Sequence, residues 1–209
     1  MDVGLRSVAE GTRRVARSRG ATGVIVPPMA THAAFLRGLN LGAHHRVSNA
    51  ELQGMFEALG LSEVKAFRTS GNVAFTSARE PVEQLRTRIE DALARELGYE
   101  VATFLRTAEE LRAICAYEPF ERARVEAGPG KLQVSILAAK PPARVRREVL
   151  AMADERDLLA FGERELYWLP SGGILETALD MAAIESALGV TTRRTKGTLE
   201  QMAAKHFGG

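Results

Sequence analysis

The stretch AAFLRGLNLGAHHRVSNAELQGMFEALG, residues 33–60, sets the reading of the whole chain. Ala33, Ala34, Phe35 and Leu36 form a short apolar run, and Arg37 follows where it ends. Gly38, Asn40 and Gly42 then stand at alternate positions, all residue types that tolerate positive φ, so a sharp turn is predicted. Ser48 with Glu51 three residues on is a capping-box pair. Leu52, Met55, Phe56 and Leu59 then recur at helical spacing up to Gly60. The expectation is a strand over 33–37, a tight loop, and a helix capped at Ser48 and stopped at Gly60.

Outward from this stretch the pattern switches between period 2 and period 3.6. Residues 64–68 and 73–76 predict strands joined through Ser70, Gly71 and Asn72, a turn composition suited to a hairpin. Pro81 suits the first turn of a helix whose apolar positions Val82, Leu85, Ile89, Leu93 and Leu97 end at Gly98; residues 101–105 predict a fourth strand. The second half gives the same order. A connecting helix over 107–115 opens on its own Thr107 and Glu110 box, and Gly128-Pro129-Gly130 is a loop. Leu132, Val134 and Ile136 alternate as a strand, and Pro141 and Pro142 open a helix to Met152. Strands at 158–161 and 165–169 flank a Gly162-Glu163 turn. A helix over 174–188, with Glu176 in its first turn, a short strand over 191–194 and a last helix capped by Thr195 or Thr198 complete the order. The expected fold class is α+β, tandem ferredoxin-like: β-α-β-β-α-β twice, antiparallel sheets with helices packed on them. Residues 1–30 are expected to be a disordered extension, 31–106 the first half, and 107–209 the second, intertwined with the first.

Of 209 residues, 45% are apolar and 26% charged, an ordinary globular balance that excludes disorder throughout. The formal charge of +2 is unevenly spread. Residues 1–28 hold five Arg against Asp2 and Glu10, a net of +3, which leaves the other 181 residues with 23 basic and 24 acidic side chains. Nucleic-acid binding would therefore rest on a local cluster. Met29 reads as a natural start with residues 1–28 a leader, a basic arm on nucleic acid being the alternative. Cys115 is the only cysteine, so an internal disulfide and any multi-Cys zinc site are excluded. No N-terminal apolar run is long enough for export or a membrane span, and a cytoplasmic location is expected.

Three segments could hold an anion. The turn from Gly38 to Gly42 can leave backbone N–H groups pointing one way, with Arg37 entering and His44, His45 and Arg46 leaving. The same residues equally suit a plain strand-to-helix connection. Ser70, Gly71 and Asn72 offer small polar groups at a hairpin tip, or simply a well-made turn, with Arg68 just before it. Arg193, Arg194 and Lys196 precede a helix N-terminus, where basic groups are unfavourable unless something negative sits there. The loop matches neither the dinucleotide nor the Walker A spacing, so it names no cofactor. No metal set, paired carboxylates or activated nucleophile is present. Cys115 reads as an inert core thiol, Trp168 as half-buried core, and residues 154–157 as a solvated turn.

The segments AFLRGLNLG and HHRVSNAELQGMFEALGLSEVKAFRTSGNVAF resemble the opening of the domain of unknown function 1697 family of bacterial proteins, with its LRGxNxG loop, Glu- and Leu-rich helix and SGNVxF hairpin. RTKGT, from Arg194 to Thr198, resembles the family's closing motif, and the resemblance covers residues 31–207. Many relatives close on a Trp-containing TRNWNT segment, so Lys196 stands in place of an aromatic residue, and Ala43 replaces a common Gly. The resemblance implies two intertwined ferredoxin-like halves and no established activity, cofactor or catalytic residue. The expected function is binding of a phosphate-bearing or otherwise anionic small ligand through Arg37, Gly38, Asn40, Gly42 and Arg46, with Ser70, Gly71, Asn72, Arg194 and Lys196 as neighbours. Nucleic-acid binding and a protein-interaction scaffold are the alternatives.

Overall fold

The structure, a computed structural model, describes Met1 and residues 29–40 and 46–208. The leader or arm expected over residues 1–28 therefore lies outside the described residues, apart from Met1. Strands β1 (Met29–Leu36), β2 (Ser62–Phe67), β3 (Asn72–Ala78) and β4 (Thr103–Thr107) form one antiparallel sheet in the order β2-β3-β1-β4. Strands β5 (Gln133–Leu137), β6 (Leu158–Phe161), β7 (Glu165–Leu169) and β8 (Thr191–Thr195) form a second in the order β6-β7-β5-β8. Among the described residues the helices are α1 (Asn49–Glu57), α2 (Val82–Leu97), α3 (Ala108–Ala116), α4 (Arg122–Ala127), α5 (Ala143–Leu150), α6 (Met181–Leu188) and α7 (Lys196–His206). The fold is α+β, with two four-stranded antiparallel sheets and seven helices.

Helix boundaries follow local chemistry. Ser48 accepts from the Glu51 amide while Glu51 reaches back to the Ser48 amide, and Thr107 and Glu110 do the same for α3. Gly98, in the left-handed region at φ 76, ends α2.

β1 explains why the AAFL run is continuous rather than alternating: both of its faces are buried. Ala34 and Leu36 pack with Leu52 and Phe56 of α1 and Leu85, Ile89 and Leu93 of α2. Ala33 and Phe35, on the opposite face, share a core with Val134 and Ile136 of β5, Tyr167 of β7, Leu111 of α3 and Leu199 of α7. Beyond that shared core, Leu137, Phe161, Leu166 and Trp168 pack with Val149 of α5 and Ile184 of α6. The first and second halves thus share a central core containing α3 and α7.

Two expectations are corrected. The helix expected over 174–188 begins only at Met181, where Asp180 accepts from the Ala183 amide. Glu176 lies before it and accepts from the Gly173 amide at 3.1 Å, so it does not sit in the helix's first turn. Asp157, read with its neighbours as a solvated turn, is 2% exposed; its carboxylate accepts from Trp168 Nε1 at 2.8 Å and Thr177 Oγ1 at 2.9 Å. These bonds tie residue 177 to the sheet and offer a non-helical solution for the chain before Asp180. Trp168 is buried outright at 2% exposure. The short α4 carries no buried residue, and so left no apolar stripe to read.

Candidate anion-binding cleft

The three segments singled out in the sequence meet where the halves join. The Arg37 guanidinium donates to the Thr191 carbonyl at 2.6 Å, and Thr192 Oγ1 lies 3.4 Å from the Leu36 carbonyl, so the end of β1 lies against β8. Arg194 holds the junction. Its Nε donates to Asn72 Oδ1 at 2.6 Å, its Nη2 to the carbonyls of Ser70 at 2.6 Å and Leu36 at 2.9 Å, and its Nη1 to Thr192 Oγ1 and the Arg193 carbonyl. Hairpin tip, strand end and β8 are thereby tied together by one side chain.

Several of the candidate groups are engaged in building this junction. Asn40, at φ 65, closes its loop by accepting from the Val47 amide at 2.7 Å and donating to the Val47 carbonyl at 3.1 Å. Asn72 is fully buried and donates to the Phe67 carbonyl and Ser70 Oγ. Gly71, at φ 69, is a close approach: a Cβ there would stand 2.9 Å from Leu36 Cβ. Gly38 also has positive φ, and Arg37 and Arg46 are exposed. Gly42, His44 and His45 lie outside the described residues.

Arg194 is unusual electrostatically. All of its bonds go to neutral acceptors, and among the described residues no carboxylate pairs with it. Burial pushes its pKa down to about 10, so it stays charged at neutral pH. Desolvating a cation without a counter-charge is costly, and multiple hydrogen bonds offset only part of that cost.

Next to this charge lies a cleft of about 780 Å3. It is lined by Arg68, by residues 195–198 with Glu200 and Gln201, and by residues of the segment from Glu118 to Leu132, whose end lies beside α7: the Lys196 amide donates to the Leu132 carbonyl at 2.8 Å. Arg68, at φ 57 on the hairpin tip, donates to Gln201 Oε1. Lys196, its side chain only 11% exposed, lies 3.0 Å from Glu200. Arg122 pairs with Glu126 elsewhere in the lining. That leaves Arg68 and Lys131, exposed and without a carboxylate partner among the described residues, against Glu118. Thr195 caps α7 through the Thr198 amide, so the first turn of that helix also faces the cleft. Gly130 is fixed in its wall by close backbone approach, since a Cβ there would stand 2.2 Å from the Pro170 carbonyl oxygen.

The structure therefore brings together Arg37, Gly38, Asn40, Ser70, Gly71, Asn72 and Arg194 at the junction, and places Lys196 with Arg68 in the adjoining cleft. Arg193 turns elsewhere, its guanidinium 5.1 Å over the Trp168 ring and 3.8 Å from Glu185. Lys131 and Phe120 escaped sequence reading because neither sits in a motif; only the Gly128-Pro129-Gly130 loop marked their neighbourhood. Cys115 is half-buried, and burial raises its thiol to about 11, which makes it a poor nucleophile. Among the described residues no group of three or more His, Cys, Asp or Glu is placed to hold a metal, and no helix is long and apolar enough to cross a membrane.

A family model described as protein of unknown function (DUF1697) matches residues 29–167. Among solved structures, the conserved bacterial protein SP0830 from Streptococcus pneumoniae is similar at a TM-score of 0.66 and 22% identity, over 85% of this chain and 98% of that one. At that identity the likeness speaks to fold alone. No curated protein matches the chain. With more than half of its length matched, from the start of β1 into β7, the chain belongs to the DUF1697 family of proteins of unknown function.

Proposed function

We propose that this protein binds a small anionic, phosphate-bearing ligand in the cleft at the start of α7, with Arg68, Lys131 and Lys196 making the contacts. The observation that carries this reading is the half-buried Arg194 cation without a carboxylate partner among the described residues, one residue from the cleft-lining Thr195. Its own N–H groups are occupied, so it acts as a strut and a source of positive field, while the exposed Arg68 and Lys131 are free of ion pairs among the described residues. The opening loop from Arg37 to Asn40 positions the hairpin tip. A tandem ferredoxin-like architecture suits this assignment: both sheets share one strand order, and the site falls where the two repeats meet. A cytoplasmic setting suits a chain whose single thiol needs no oxidising compartment.

Thermal unfolding against sugar phosphates, nucleotides, inorganic anions and short oligonucleotides tests the reading. A ligand at ~100 times its dissociation constant adds about 2.7 kcal/mol of stability. The expected result is a melting shift with phosphate esters that Arg68→Gln and Lys131→Gln diminish; both positions are exposed, so the fold should tolerate the change. A shift confined to oligonucleotides, falling steeply with salt, would transfer the assignment to nucleic-acid binding.

A further inference from the structure

The cleft holds far more space than a phosphate group fills, and about 780 Å3 lies within the range of sites for drug-sized molecules. Its lining is mixed in chemistry. Arg68 and the first turn of α7 bring polar and cationic groups. The segment leading into β5 adds Pro119, Phe120 and Pro129, with Val125 and Leu132, among charged residues that include Lys131. Phe120 is half-buried at the edge of the central core, so one part of its ring is held by packing while another borders the cleft. Rigid flat side chains of this kind favour a planar group over a flexible chain, which would gain from a closed apolar tunnel instead.

We infer that the ligand is a ring-bearing phosphate monoester of the mononucleotide class, its phosphoryl group held by Arg68, Lys131, Lys196 and the start of α7, its ring lying against Phe120. This rests on the anion-binding reading above and specifies the other end of the molecule.

Titration of the full chain with ribose 5-phosphate, adenosine 5′-monophosphate and adenosine separates the two claims. Adenosine 5′-monophosphate should bind about tenfold more tightly than ribose 5-phosphate, the size expected of one base stacked on one aromatic ring. Phe120→Ala should remove that tenfold advantage and leave ribose 5-phosphate affinity unchanged. Phe120→Leu, which keeps apolar bulk for the core but lacks the flat face, should do the same, and serves alone if the alanine variant does not fold. Equal affinities for the two phosphates overturn the ring assignment and leave anion binding standing. Equal loss of both in the Phe120 variants assigns Phe120 a structural role and also overturns it. Binding of adenosine alone, or of none of the three, removes both readings.

Discussion

Arg106 of β4 and Glu165 of β7 meet at 2.8 Å with side chains 1% and 6% exposed, a buried ion pair joining the two halves of the chain. Arg106 also donates to the carbonyls of Leu105, Leu137 and Arg164, each at 2.9 Å. Burial lowers the Arg106 pKa, with Glu165 opposing that shift. Removing one partner strands the other without its counter-charge, so Arg106→Met or Glu165→Leu should each cost about 3–5 kcal/mol in urea unfolding. The double variant should cost less than Arg106→Met alone, because the stranded Glu165 charge is gone, while the carbonyls that lose the Arg106 donor keep some of the cost. Additive losses would show that the two side chains do not act as a unit.

Stability should fall between neutral and mildly acidic pH through His32. This side chain is 5% exposed, stacks on Phe75 at 5.5 Å, and has an Nδ1 without a partner. Burial lowers its pKa from 6.5, more than the charges of Glu110 and Glu80 raise it. As pH drops below 6.5, the unfolded chain takes up the proton first, so protonation favours unfolding; above 6.5 the folded state is unpenalised. His206 shifts in the same direction. His32→Phe keeps a ring beside Phe75 and removes the buried polar atom. Its stability should therefore fall less than the wild type's between pH 7.5 and 5, measured as urea midpoints. An identical fall in both proteins would contradict this role.

The single Trp makes one core bond observable. Trp168 Nε1 donates to Asp157, which also holds Thr177 ahead of α6. Asp157→Ala should leave a buried N–H unpaired at a cost of about 1–3 kcal/mol. The loosened segment should also let water reach the indole, with a red shift in emission. Unchanged emission and stability would show that the Asp157 carboxylate does not hold Trp168 and Thr177 in place.

Much of the fold was legible because local chemistry marks its boundaries: the two capping boxes, Gly98 after α2, and the Ser70-Gly71-Asn72 turn all stand where the residues put them. Strands β6 and β7 needed only apolar runs around a Gly turn. What stayed hidden depended on distant contacts. Asp157 looks solvated until Trp168 and Thr177 reach it, and nothing near Arg106 or Glu165 in sequence announces a pair 59 residues apart. The candidate site was legible in part. Arg68, Arg194 and Lys196 were visible, but that Asn40 would be occupied by Val47, that Arg194 would be held by the hairpin tip, and that Lys131 would line one cleft with Arg68 follow from tertiary packing.

Calorimetric titration of the full chain with ribose 5-phosphate, beside its Arg68→Gln/Lys131→Gln double variant, tests anion binding at this cleft most directly. Saturable binding at one site is expected, weakened at least about tenfold in the variant, as loss of two charge-assisted contacts implies, with an unchanged melting temperature for the unliganded protein. Absence of binding, or equal affinity in the two proteins, would contradict it.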